Sequence, residues 1–109
     1  METLTHEIAA HAARLVVEEG LDYGAAKRRA QKTLGLPPRT ALPDNDLLEA
    51  EVRAYIALFY ADTQPAELAA LRRLALLWMD RLAEFRPHVA GAVWNGTATR
   101  LSDIHLQLF

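Results

Sequence analysis

A chain of 109 residues has room for one small domain, in which folding can bury ~60–70% of the unfolded surface. Apolar residues make up 51% and charged residues 24%, the balance of an ordinary folded soluble protein, and charges break every apolar run short of the ~20 residues of a membrane span. The formal net charge of −2 argues against indiscriminate attraction to nucleic acid, and the absence of cysteine excludes disulfides, thiol nucleophiles and thiolate zinc sites.

The opening Met1-Glu2-Thr3-Leu4-Thr5-His6-Glu7 is acidic where a secretory leader is basic, so a cytoplasmic location is the expectation. A first helix is predicted from a Thr5 cap to Glu19, stopped by Gly20, with Leu4, Ile8, Ala12, Leu15 and Val16 on its apolar face. A second runs from Tyr23 to Leu34 and ends at Gly35; it carries Lys27, Arg28, Arg29 and Lys32 and no acid. Pro37, Pro38 and Pro43 make the next stretch a loop. Asp44 or Asp46 caps a third helix reaching Tyr60, with Leu48, Val52, Tyr55, Ile56 and Phe59 on one face. Its four acids are balanced only by Arg53, so the basic second helix either lies beside it or stands apart, surface pairs of this kind being weak. Asp62-Thr63-Gln64-Pro65 starts a fourth helix, Ala66 to Phe85, ended by Pro87. Its stripe of Leu68, Leu71, Ala75, Trp78, Leu82 and Phe85, widened by Leu74, Leu77 and Met79, predicts a mostly buried element.

The remainder reads as strand, turn, strand: Val89 to Trp94, then Gly96-Thr97, then residues 102–109. In the second strand Ile104, Leu106 and Leu108 alternate with Asp103, His105 and Gln107. A lone hairpin is marginal in water, so the fourth helix is expected to back it. The fold expected is therefore mainly α, about four helices followed by a C-terminal β-hairpin. It forms a single domain over 1–109, with a helical pair in 1–36, two longer helices in 44–86 and the hairpin in 88–109. The strand edge at 102–109 is left unpaired, and an apolar edge of that kind promotes association. Either the natural chain continues past Phe109, or the edge pairs with a second copy to make a homodimer. His88 is expected at the surface, and Trp94 in a core or interface.

Two histidine- and charge-based motifs are set aside on geometry. His6-Glu7-Ile8-Ala9-Ala10-His11 lacks the four-residue spacing of a zinc-protease helix; five residues turn the histidines ~140° apart, so they cannot share one metal. Arg14-Leu15-Val16-Val17-Glu18-Glu19-Gly20 and the basic helix after it resemble the opening of tetracycline-repressor-type DNA-binding domains over residues 8–35. The resemblance implies nucleic-acid contact through Lys27, Arg28, Arg29 and Lys32. However, a proline loop and an acidic helix stand where that family places its recognition helix, and phosphate repels such a helix. Nucleic acid is therefore an alternative partner rather than the expected one.

The segment Gly96-Thr97 followed by Ser102-Asp103-Ile104-His105-Leu106 is similar to the signature of the polymerase-β-like nucleotidyltransferase superfamily. There a helix precedes a strand that ends in a small-residue turn, and the next strand opens Ser-Asp-Ile-Asp-Leu. Gly91-Ala92-Val93-Trp94-Asn95 is also similar to the Gly-Ala-Val-Arg-Asp turn of the tRNA-nucleotidyltransferase branch. The resemblance implies that Asp103 and His105 stand at the catalytic positions and that Asp103 is the first metal carboxylate. It implies that Gly96, Thr97 and Ser102 contact a bound nucleotide, and that Mg²⁺ or Mn²⁺ polarises its phosphate. The sequence departs from the pattern at His105, since imidazole is a poor magnesium ligand. The spacing from Gly96 to Asp103 is short, and no third carboxylate follows. The expectation is a nucleotidyltransferase-like protein without standard two-metal catalysis, retained for nucleotide binding or as a structural module. A helical protein-interaction module around Trp78, Phe85 and Trp94 is the remaining alternative.

Overall fold

The computed structural model describes residues 2–108. It is mainly helical with a C-terminal pair of antiparallel strands: α1 (Glu2–Glu19), α2 (Tyr23–Thr33), α3 (Asn45–Phe59), α4 (Gln64–Arg81), β1 (His88–Ala90), α5 (Gly91–Asn95) and β2 (His105–Gln107). Among the described residues no helix is long and apolar enough to cross a membrane. The chain divides into two compact units whose boundary lies between Phe59 and Tyr60, so the third and fourth helices of the sequence reading belong to different units.

In the first unit α1 packs against both α2 and α3, while α2 and α3 touch only marginally. Of the two arrangements open to the basic and acidic helices this is nearer to standing apart, with Lys27 to Asn45 as a hydrogen bond between them. The reason is the width of the α1 apolar face: Ile8, Ala9, Ala12, Ala13, Leu15 and Val17 are all buried, enough to cover two neighbours at once. The helix also begins before Thr5, and Leu4 and Thr5 are half-buried within it. Opposite α1, α2 buries Ala26 and Ala30, and α3 buries Leu48, Val52 and Ile56. Asp22 caps α2 by accepting the Ala25 N–H at 2.7 Å, and Asp44 does the same for α3 from Leu47 at 2.8 Å. The tail of the α3 face is not covered as predicted: Phe59 is exposed, and Tyr55 is half-buried with its hydroxyl donating to the Glu18 carboxylate. Gln31 ties down the proline loop, its amide donating to the carbonyls of Pro37, Pro38 and Thr40 at 3.0–3.3 Å.

In the second unit Ala75, Val93 and Ala98 are buried, with Leu68, Leu71, Val89, Ala92 and Ile104 packed around them. The expected burial of the fourth helix is overturned. Along its 18 residues only Gln64 and Ala75 are buried, while Leu74, Leu77 and Trp78 are exposed, and so is Phe85 in the 3₁₀ turn Ala83–Phe85 that follows it. Two three-residue strands and a single helical turn are too small to cover a helix of that length.

The strand–turn–strand reading of 89–109 also needs correction. The first strand stops at Ala90, and Gly91–Asn95 turns into the short helix α5. Gly96-Thr97 is consequently the end of that helix and not the bend of a hairpin. The ladder pairs His88 with Gln107, Val89 with Leu106 and Ala90 with His105. Directly opposed residues of an antiparallel pair share a face. Val89 and Leu106 therefore point inward, while His88, His105 and Gln107 lie on the exposed face.

Candidate functional site

The exposed face of the β1–β2 ladder and the connection 91–104 form the candidate site. Gly91 leaves β1 in the left-handed region, at φ +70. The His105 ring stands directly over it: a β-carbon placed on Gly91 would lie 3.2 Å from His105 Cδ2. Only glycine fits that combination of backbone sign and close approach. Here the sequence reading chose Gly96 for the turn; the glycine that faces β2 is Gly91.

From Gly91 the chain winds through α5 and closes on itself. The Ala92 carbonyl accepts the N–H groups of Gly96, Thr97 and Ala98 at 2.9, 3.0 and 3.2 Å. Gly96, at φ +88, makes the left-handed exit from the helix that lets all three amides converge. A second small turn follows. The Thr99 N–H donates to Ser102 Oγ at 2.9 Å, and the Ser102 N–H donates to the Thr99 carbonyl at 2.9 Å.

Three side chains of α4 hold this connection by its backbone. Gln64, buried, donates from Nε2 to the carbonyls of Ala98 at 2.7 Å and Gly96 at 3.2 Å. Glu67 accepts the Arg100 N–H at 3.1 Å. Arg72 donates from Nε to the Val93 carbonyl at 2.9 Å and from Nη2 to the Trp94 carbonyl at 3.1 Å, satisfying carbonyls near the end of α5. Gln64, Glu67 and Arg72 were not singled out in the sequence. The only trace they leave there is polar residues interrupting an otherwise apolar helix.

Of the residues expected to contact nucleotide, Asp103 and His105 are exposed; Asp103 stands two residues before the ladder begins and His105 is its first residue. Thr97 is buried within the connection. Ser102 is half-buried and its hydroxyl is engaged with Thr99. Gly96 is half-buried on the far side of α5 from Gly91. Trp94, expected in a core or interface, is exposed. The alternative set lies in the other unit, on α2. There Arg29 is ion-paired with Glu19 at 3.1 Å, Lys27 donates to Asn45 Oδ1 at 2.6 Å, and Arg28 and Lys32 are exposed.

The donor set bears directly on the divalent metal that the resemblance implies. Among the described residues no three histidine, aspartate or glutamate side chains converge. Asp103 supplies the one carboxylate of the motif and His105 supplies nitrogen, whereas magnesium is held by oxygen in near-octahedral geometry. These residues do not fit a two-metal centre. No protein-family model matches the chain, and no curated protein or solved structure does either.

Proposed function

We propose that residues 88–107 are a nucleotide-binding hairpin of the nucleotidyltransferase-like kind, in a chain that does not itself build the two-metal centre of that superfamily. The observation that carries this reading is the placement of His105 over Gly91. A strand ends at a left-handed glycine, and the strand that opens with His105, two residues after Asp103, lies beside it. That is the order of parts in the resembling signature, with Gly91-Ala92 taking the turn position instead of Gly96-Thr97.

The chemistry of the exposed pair favours binding over transfer. An imidazole N–H can donate to a phosphate oxygen, which a second carboxylate would repel. Asp103 alone leaves any divalent ion short of protein oxygens. The α4 side chains that hold residues 93–100 supply a preorganised backbone, so little ordering cost remains for the ligand.

The test is calorimetric titration with ATP, with Mg²⁺, with Mn²⁺ and without either, on the unaltered chain, Asp103→Ala and Gly91→Ala. The unaltered chain is expected to bind. Asp103→Ala should weaken the metal-supported binding, and Gly91→Ala should weaken binding under all three conditions because it displaces His105. Equal affinity across the three proteins, or no binding by any, removes the proposal.

A further inference from the structure

Behind the ladder, on the face away from His105, the second unit contains an open groove of about 490 Å³ lined by Arg72, Ala75, Leu76, Met79, Val89, Val93 and Trp94. That volume lies within the range of roughly 300–1,000 Å³ typical of small-molecule sites. Ala75 and Val93 are buried and make its floor, Met79 and Val89 are half-buried, and Leu76 and Trp94 are exposed at 64% and 67%. Six of the seven lining residues are apolar or aromatic, and the seventh is a cation.

The arrangement of that cation narrows the ligand. The side edge of the Arg72 guanidinium, Nε with Nη2, is spent on the Val93 and Trp94 carbonyls. The end edge, Nη1 with the second Nη2 proton, makes no hydrogen bond to any described residue, and no carboxylate among the described residues neutralises the charge. The two carbonyl bonds hold the planar fork in one orientation. Its remaining edge presents two parallel N–H donors, the geometry that a carboxylate accepts in bidentate fashion. Arg72 is itself exposed at the rim, and one cation beside an otherwise apolar lining matches a monoanion that carries a hydrocarbon body.

We propose that this groove binds a small monocarboxylate with an apolar body, its carboxylate on the end edge of Arg72 and its hydrocarbon between Leu76, Met79, Val89 and Trp94. The thioether of Met79 adapts to the contour of such a ligand, and the indole of Trp94 covers it from the open side.

The proposal is tested by titrating the unaltered protein with decanoate, decanol and decyltrimethylammonium, each below its micellar concentration, while following the two indole N–H resonances. Trp78→Phe assigns them; Trp78 does not line the groove and serves as the internal reference. Decanoate is expected to shift the Trp94 resonance saturably and to bind at least tenfold more tightly than decanol, with the cationic amphiphile weaker still. Leu76→Glu, at an exposed position where folding is not at stake, should weaken decanoate at least tenfold by placing a like charge in the groove. The proposal is overturned if decanol or the cation binds as well as decanoate. It is equally overturned if Trp94 does not respond, or if Leu76→Glu leaves decanoate affinity unchanged.

Discussion

Residues 2–59 close around Ile8, Leu48 and Val52, large side chains that are fully buried, whereas residues 60–108 close around Ala75, Val93 and Ala98. The first unit is held by apolar packing between helices, and its charged contacts lie at the surface: Arg14 with Glu18, Arg29 with Glu19, Arg53 with Glu49. Such exposed pairs contribute at most about 1 kcal/mol each. The second unit has a core made mostly of small residues and relies on side chains that grip backbone carbonyls, Gln64 and Arg72 foremost. Packing stabilises a scaffold without regard to where one particular loop goes. Directed hydrogen bonds fix a loop in one conformation, which is what a binding site requires. Gln31 grips the proline loop of the first unit in the same way, so the contrast is one of degree; it favours the second unit for the binding surface proposed above.

The comparison can be broken most decisively at Leu48. Replacing this buried residue by alanine should cost the first unit about 2–5 kcal/mol. Amide exchange in residues 2–59 should accelerate, while the emission of Trp78 and Trp94, both in the second unit, holds to higher urea. Simultaneous loss of both signals would mean that the units do not stand on separate kinds of contact. Next in size is Gln64→Leu, which keeps the volume but leaves the Ala98 and Gly96 carbonyls without their donor. A loss of about 1–3 kcal/mol is expected. It should appear as faster exchange at residues 96–100 with α1 unaffected; an unchanged exchange pattern would show that the grip of α4 on the loop is unimportant. The smallest effect is a gain. Arg86 is the one non-glycine residue at positive φ among those described, at φ +51. Arg86→Gly should stabilise by about 0.5 kcal/mol, the relief of left-handed strain less the entropy of glycine. A lower melting temperature in that variant would point to a contact made by the arginine itself.

How much of this was legible in the sequence follows from the kind of signal each feature leaves. Asp44, Gly20 and Gly35 mark helix ends through local chemistry, and the helices end close to them. The outward placement of His105 followed from alternation along the second strand, and the ladder keeps it. The run Val89 to Trp94 was misread because six consecutive apolar or small residues suit a buried strand and a buried helical turn equally. Gly91, in the middle of it, was the breaker. Burial of α4 was overestimated because an apolar stripe reports what could be covered and not what covers it. Gln64, Glu67 and Arg72 were invisible for a different reason. A side chain that bonds to a backbone carbonyl or N–H 21 to 34 residues away has no periodic or pairwise partner to betray it.

The Ala92 carbonyl has a kinetic consequence. An oxygen with two lone pairs that receives three N–H groups ties the amides of Gly96, Thr97 and Ala98 to a single event. Rotation of that one carbonyl releases all three at once. Their protons should therefore exchange with solvent at one common opening rate, set by rotation of the Ala92–Val93 peptide plane. The segment that borders the candidate site would thus open and shut as one leaf instead of loosening residue by residue.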